Sequence, residues 1–139
     1  MQRYFSALLF LFGLAVWGQT KGARTFDLTL PENWKHASHL VLVFKDLEVP
    51  ENRGVVFRLF PAGQSGEQSI GSVAVMAKSP TAKGTQRIEK LEVNLSGEFR
   101  RFAEKATGNR ISVMVKPYAG LREAKDYSWK VGQIKLETQ

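Results

Sequence analysis

Residues 91–117 read LEVNLSGEFRRFAEKATGNRISVMVKP, and the rest of the chain is arranged around them. Apolar and polar residues alternate in 91–95 and again in 111–115, which is the period of a strand with one solvated face. The segment between them has a helical period instead. The stretch therefore predicts a strand, a short helix and a second strand in succession.

The central segment predicts a helix over residues 96–106, which is about three turns. Ser96 is a good N-cap, because its hydroxyl can accept a hydrogen bond from a free backbone N–H of the first turn. Gly108 supplies the left-handed conformation that commonly ends a helix. The apolar side of the helix consists of Phe99, Phe102, Ala103 and Ala106. We expect this side to close one open end of a β-sandwich.

Outside this stretch the chain consists of strand patterns separated by turn signals. The run Leu40–Phe44 is apolar at every position, which predicts a central strand covered on both faces, or one packed under the helix. The fold class is therefore all-β: an antiparallel β-sandwich of about seven or eight strands with one short α-helix. The further strand patterns cover residues 24–30, 39–49, 55–60, 69–77 and 129–136.

The last of these strands changes its alternation midway. Trp129 and Val131 share one parity, whereas Ile134 and Leu136 share the other. Gly132 lies at the break, where a β-bulge would turn both pairs toward the core. The sequence therefore predicts a bulge at Gly132.

The N-terminus has the pattern of a secretory signal peptide over residues 1–18. Arg3 gives a positive start, Phe5–Val16 is an apolar run, and the small Gly18 follows at a plausible cleavage point. A membrane anchor is the competing interpretation, but a span needs ~20 apolar residues and the polar Gln19–Lys21 ends this run sooner. We expect a secreted or periplasmic protein with no stable membrane span, in which residues 19–139 form a single β-sandwich domain.

Composition excludes several classes of function. The formal net charge is +7 with the basic residues spread along the chain, which indicates a soluble basic surface rather than a nucleic-acid footprint. There is no cysteine, which rules out thiolate catalysis, Cys-ligated zinc and disulfides. We expect no nucleic-acid partner and no cofactor.

No catalytic or metal-binding residue can be nominated. His36 and His39 are the two histidines, and the strand geometry predicted at His39 would point them to opposite faces. No nearby Asp or Glu completes a metal-ligand spacing. The carboxylates alternate with Lys and Arg, as on a solvated mixed-charge face, and no G-x-S-x-G elbow is present. The chain is therefore predicted not to be an enzyme.

Four aromatic residues are candidates for a binding surface: Trp34, Tyr118, Tyr127 and Trp129. They lie near strand ends and in the long connection 117–128. Clustered at one end of the sandwich, they would form a sugar-stacking platform or a protein-docking patch. The alternative is that they belong to the core, where aromatics of a small domain more often lie.

The order of elements resembles the C-terminal domain of the tyrosinase and polyphenol oxidase family. The similar segments are HLVLVFKDLEVPENRGVVFRLF (39–60), SIGSVAVMA (69–77), LEVNLSGEFRRFAEK (91–105), ISVMVKPYAG (111–120) and WKVGQIKLE (129–137). In that family the domain is a jelly-roll-like sandwich that packs on the dicopper oxidase domain and covers its active-site entrance. The copper-binding histidines lie in the other domain, which nothing in these 139 residues resembles.

The resemblance implies a secreted, non-catalytic binding or structural domain that shields, chaperones or anchors a separate copper oxidase, or that binds another secreted protein. The family's bulky plug residue has no counterpart here, because loops 61–68 and 78–86 contain no aromatic. The alternative function is a carbohydrate- or cell-surface-binding β-sandwich module with a glycan as its ligand.

Overall fold

The computed structural model describes residues 19–63, 68–95 and 97–139. The predicted signal peptide and the predicted N-cap Ser96 lie outside the described residues. The described chain contains one helix, α1 (Gly97–Glu104), and nine strands. The strands are β1 (Thr20–Lys21), β2 (Arg24–Thr29), β3 (Leu40–Pro50), β4 (Val55–Pro61), β5 (Gly71–Val75), β6 (Thr85–Asn94), β7 (Arg110–Ala119), β8 (Arg122–Glu123) and β9 (Ser128–Thr138).

The strands form two antiparallel sheets, which confirms the predicted sandwich. Sheet A has the order β1-β9-β3-β6, and sheet B has the order β2-β7-β4-β5. Strand β8 pairs with the last two residues of β7 and completes sheet B. The count exceeds the predicted seven or eight because β1 and β8 are two residues long, too short for alternation to reveal them.

Strand β3 is central, as its apolar run predicts, with β9 on one side and β6 on the other. Leu42 and Phe44 point into the core, whereas Val41 and Val43 lie outside the core cluster and are still fully buried. Val43 pairs with Glu92 on β6 and Lys135 on β9. The aliphatic stems of such long charged side chains cover the small valines, so no further layer is needed on that face.

The predicted bulge at Gly132 is wrong. Pairing between β3 and β9 keeps one register on both sides of this glycine, with Lys45 opposite Gln133 and Leu47 opposite Val131. No extra residue is therefore inserted in β9. Asp46, which lies opposite Gly132, adopts a left-handed φ of 54°, and both strands change face at this row. Trp129, Val131 and Leu136 all reach the core, as predicted, by this shared change.

Helix α1 connects sheet A to sheet B and carries its apolar side into the core. Phe99 and Ala103 are buried, and Phe102 is partly buried against the same cluster. The helix ends two residues earlier than predicted, and Gly108 has the predicted left-handed φ of 72°. Arg100 donates to the backbone carbonyls of Trp34 (3.1 Å) and Ala37 (2.5 Å), which ties the β2–β3 connection to the helix.

The described residues share one hydrophobic core between the two sheets. Its aromatic centre is Phe57, whose ring centroid lies 5.0 Å from Trp129, 5.9 Å from Phe44 and 6.0 Å from Tyr127. No helix in the described part of the chain is long and apolar enough to cross a membrane.

Candidate functional site

Three of the four aromatic residues proposed for binding are core residues. Trp34 is 8% exposed, and Tyr127 and Trp129 are each 1% exposed. The indole N–H of Trp129 donates to the carbonyl of Gly22 at 2.8 Å, so its polar atom is also satisfied inside the protein. A sugar-stacking platform needs exposed ring faces, and these three residues do not provide them. The platform predicted from the sequence is therefore not formed.

Tyr127 has no polar partner for its hydroxyl, which is buried. Burial raises the pKa of Tyr127 to about 12, because the phenolate is poorly solvated there, although the nearby positive charge of Arg53 opposes the shift. The Arg53 guanidinium lies 5.6 Å from the centre of the tyrosine ring and makes two hydrogen bonds to Asp126, at 3.0 and 3.1 Å. Arg53 is thus paired with the Asp126 carboxylate and packs over the buried Tyr127 ring.

Tyr118 is the fourth candidate, and it lies on the outer face of sheet B. It is partly exposed on β7, between Val56 of β4 and Glu123 of β8. The Arg58 guanidinium carbon stands 4.5 Å from the centre of the Tyr118 ring, a cation–π contact. Tyr118 is therefore the residue around which a binding surface can be built.

Beside Tyr118 the outer face of sheet B forms a shallow concavity of about 320 Å³. Small side chains line it: the row Tyr118–Val56–Ala74 crosses the sheet with the small Ala74 at its end, and Met76 follows two residues after Ala74. We call the concavity and its adjacent cation the Tyr118 surface: Val56, Arg58, Ala74, Met76, Tyr118 and Ala119.

The rim of this surface exposes large apolar side chains. Met76 is 78% exposed and Leu121 is 91% exposed, and they are the two strongly exposed large hydrophobic residues of the described chain. Met76 lines the concavity directly, and Leu121 follows Gly120, which also lines it. Apolar groups gathered around a concavity favour burial against a partner.

The charge on this face is positive. Arg58 and Lys116 are directly opposite one another on β4 and β7, an arrangement that is unfavourable for like charges. The positive charge of Lys116 has two favourable contacts, with the Glu123 carboxylate at 3.9 Å and with the Phe60 ring at 5.1 Å. Within the described residues, Arg58 has the Tyr118 ring but no carboxylate within ion-pair distance. Arg58 is thus the cation available to a partner.

The outer face of sheet A differs, because its charges are paired with each other. Arg87 contacts Asp46 at 2.6 Å, Lys130 contacts Glu48 at 2.9 Å, and further along β9 Lys135 contacts Glu137 at 2.9 Å. The hydrogen bond to Glu137 is the main cause that raises the pKa of Lys135. An internally paired face offers less to a charged partner than the Tyr118 surface does.

The histidines do not form a metal site in the part of the chain that the structure describes. His36 and His39 are exposed in the β2–β3 connection, and no group of three or more His, Cys, Asp or Glu residues is placed to hold a metal ion among residues 19–63, 68–95 and 97–139. The Tyr118 surface is therefore the candidate site among the described residues.

Sequence reasoning missed Arg58, Ala74 and Met76. The signal was present in the strand SVAVMA, where the outward positions carry Ser72, Ala74 and Met76 rather than charged residues. An uncharged outer face on a half-exposed strand is a departure that the alternation pattern can reveal.

No protein-family model matches the sequence, and no curated protein matches it. Solved structures do match in fold. The latent apple tyrosinase structure is 17% identical, has a TM-score of 0.59, and is matched over 90% of this chain and 28% of its own. The structure of latent aurone synthase (polyphenol oxidase) from natural source is also 17% identical, with a TM-score of 0.56, over 84% of this chain and 24% of its own.

The chain thus spans about a quarter of the length of the solved polyphenol oxidases that it matches. Partial coverage of this kind is consistent with their C-terminal domain alone, and the catalytic part of those chains lies outside the match. At this level of identity the likeness concerns the fold, and it agrees with the resemblance seen in the sequence. The described chain has the β-sandwich fold of the C-terminal region of polyphenol oxidases.

Proposed function

We propose that this protein is an exported, non-catalytic β-sandwich domain that acts by binding another protein, a copper oxidase in the first instance. The single observation that carries the proposal is the match of most of this chain to about a quarter of each polyphenol oxidase chain. In those oxidases this fold belongs to a part of the chain outside the catalytic region. A separate domain with the same fold is therefore a candidate to bind such an enzyme.

The Tyr118 surface supports a role in binding. Its exposed groups are an aromatic ring, a guanidinium and aliphatic side chains, which contribute packing and charge complementarity at protein interfaces. Aromatic residues, Met and Arg are the residue types enriched in such interfaces. The surface therefore has the chemistry of a docking patch.

Three versions of this function differ in their effect on the oxidase: shielding its active site, assisting its folding, or anchoring it. The matched structures are those of latent enzymes, which favours the shield. A shield lowers oxidase activity when it is added to folded enzyme. A chaperone raises the yield of active oxidase only during co-expression, and an anchor changes the location of the enzyme but not its rate.

The test is affinity capture of the tagged protein from the extracellular fraction of its own organism. The eluate is assayed for copper and for catechol oxidation, and the purified protein is then added back to the released oxidase. We expect a copper-containing oxidase whose activity falls as the protein is added. An eluate with neither copper nor oxidase activity, at physiological ionic strength, would reject the oxidase as partner.

The same material tests export. Sequencing the N-terminus of the protein purified from the extracellular fraction should begin at Gln19. An N-terminus at Met1, or recovery from the cell interior alone, would contradict the proposed signal peptide.

A further inference from the structure

An aromatic residue of sheet B is buried on the outer side of the sandwich rather than in its core. Phe60 is 6% exposed, yet it does not belong to the hydrophobic cluster between the sheets. Its neighbours on the outer face are Tyr118, whose ring centroid lies 6.3 Å away, and Lys116, whose Nζ lies 5.1 Å from the centre of the Phe60 ring. Phe60 therefore supports side chains that face outward.

Two rings and two cations on this face form one continuous stack, which we call the cation–aromatic stack: Arg58, Tyr118, Phe60 and Lys116. The Arg58 guanidinium lies 4.5 Å from the centre of the Tyr118 ring, and the Lys116 ammonium lies over Phe60. Each cation–π contact restrains a long, flexible side chain. An anionic ligand that binds these two cations therefore causes a smaller loss of side-chain entropy than it would at unrestrained ones.

The stack brings two positive charges together without an equal negative charge. Arg58 and Lys116 are directly opposite on β4 and β7, where Cβ atoms are about 4.5–5.5 Å apart. In the part of the chain that the structure describes, Glu123 contacts Lys116 at 3.9 Å and no carboxylate is within ion-pair distance of Arg58. A carboxylate placed between the two cations would relieve their repulsion and would accept paired hydrogen bonds from the guanidinium.

The stack adjoins the concavity of the Tyr118 surface, and Tyr118 belongs to both. None of the residues that line the concavity is charged. Val56 in the concavity and Arg58 in the stack are two residues apart on the same face of β4, which is a distance of about 7 Å. A ligand that fits both places therefore carries an apolar group and a carboxylate about 7 Å apart.

This combination of groups is typical of an acidic protein segment. A polyanionic polysaccharide repeats its charge along the chain, so that one of its carboxylates would face the uncharged concavity without a partner. A second copy of this chain is disfavoured by charge, because the formal net charge is +7 and two such faces would oppose their cations. The observations thus favour an acidic partner protein.

We propose that the outer face of sheet B binds an acidic segment of a partner protein, with a carboxylate between Arg58 and Lys116 and a neighbouring apolar side chain in the concavity. This inference rests on the proposed binding function and specifies the partner's chemistry. The contacts are made by side chains on the face of the sheet. Backbone pairing along β5 takes no part, since Ser69 Oγ already accepts from the Gly71 N–H and donates to the Gly71 carbonyl.

The test uses two synthetic peptides, Ac-Ser-Phe-Ser-Glu-Ser-NH2 and the same peptide with Gln in place of Glu. In an extended chain the Phe and Glu side chains lie on one face, about 7 Å apart. Each peptide is titrated into the isotope-labelled protein, and NMR follows the Nε–H signal of Arg58 and the methyl signals of Ala74 and Met76. The Gln peptide keeps the size and polarity of the segment but removes its charge.

Two matched pairs of variants are titrated in parallel. Arg58→Gln and Arg110→Gln each remove one positive charge, but Arg110 is exposed at the other end of β7. Met76→Lys and Thr25→Lys each add one positive charge on sheet B, but Thr25 is exposed on the opposite edge strand, β2. The first pair tests the cation, and the second pair tests the apolar rim.

We expect saturable shifts at all three signals with the Glu peptide, and binding about fivefold weaker or more with the Gln peptide. Arg58→Gln should weaken the Glu peptide by about fivefold or more, while Arg110→Gln binds within about twofold of the parent. Met76→Lys should also weaken it by about fivefold or more, although it adds a positive charge, while Thr25→Lys binds as the parent does.

Equal binding of the two peptides, shifts located away from these signals, or equal effects within either pair of variants would overturn the proposal. No saturable shift up to about 10 mM Glu peptide would overturn it as well. Concentration-dependent shifts without peptide would overturn it in favour of a second copy. The same shifts with trigalacturonate, at equal or higher affinity, would overturn it in favour of an anionic polysaccharide.

The outcome is separable from that of the capture experiment. Binding of the Glu peptide at the stack without capture of an oxidase would keep the acidic docking site and reject the oxidase as partner. Capture of an oxidase by a protein whose stack does not respond to the Glu peptide would keep the binding function and reject this site.

Discussion

Replacement of Phe99 by alanine tests how helix α1 closes the sandwich. Phe99 is 1% exposed and its ring centroid lies 6.2 Å from that of Phe102, which is only partly buried. A buried aromatic side chain removes roughly 150–250 Å² from water. At about 25 cal/mol per Å² this corresponds to about 4–6 kcal/mol. Because the alanine retains some contacts, we expect Phe99→Ala to lower the free energy of unfolding by about 3–5 kcal/mol.

Phe102→Ala is the matched control, on the same helix and with the same change in side chain. Its partial exposure predicts a smaller loss, roughly 1–3 kcal/mol. Urea denaturation of the parent and both variants, followed by tryptophan fluorescence, gives the three free energies when the slopes agree. If Phe99→Ala costs less than about 1 kcal/mol, or less than Phe102→Ala, the helix does not close the core in the manner described.

Three further predictions concern the interior and the histidines. Burial raises the pKa of Tyr127 to about 12, whereas an unfolded tyrosine ionises near 10. As pH rises from about 10 to 12, the parent should therefore lose about 2–3 kcal/mol of unfolding free energy relative to Tyr127→Phe. Unfolding free energies of the two proteins that do not diverge over this pH range would contradict the prediction. Arg100→Ala should lower the free energy of unfolding by about 1–3 kcal/mol, since two partly buried carbonyls lose a charged donor. Arg101→Ala, which breaks an exposed pair with Glu98, should change it by less than about 1 kcal/mol. Equal losses in urea denaturation would refute the assigned role. Copper or zinc should neither raise the melting temperature nor produce oxidase activity; a saturable rise abolished by His39→Ala would show a metal site.

Much of the fold could be predicted because alternation and turn chemistry are local. The strands of sheets A and B other than β1 and β8, and the left-handed Gly108, follow from residues close in sequence. The way in which β9 changes face at Gly132 could not be predicted from local sequence. The change of face in β9 depends on the backbone of Asp46 in β3, far away in the chain, and pairing between the two strands is a tertiary property.

The candidate binding surface was less accessible to sequence reasoning. Alternation alone does not distinguish an aromatic residue that points into the sandwich from one that points out, since it does not say which parity is buried. Trp129 and Tyr118 both lie on strands, but Trp129 is buried and Tyr118 is partly exposed. This difference depends on how β9 and β7 pair with β1 and β4. Arg58 and Met76 contribute to a site only because β4, β5 and β7 are adjacent in sheet B, and that order is not contained in any one segment.

The central claim is that this domain works by docking another protein through the Tyr118 surface. The most direct measurement is a set of binding isotherms for the oxidase captured from the native extracellular fraction, with the parent protein, Met76→Lys and Thr25→Lys compared by titration calorimetry. We predict saturable binding of equal affinity for the parent and Thr25→Lys, and an affinity reduced about tenfold or more for Met76→Lys. Equal affinities for all three proteins, or no saturable binding by the parent, would contradict the claim.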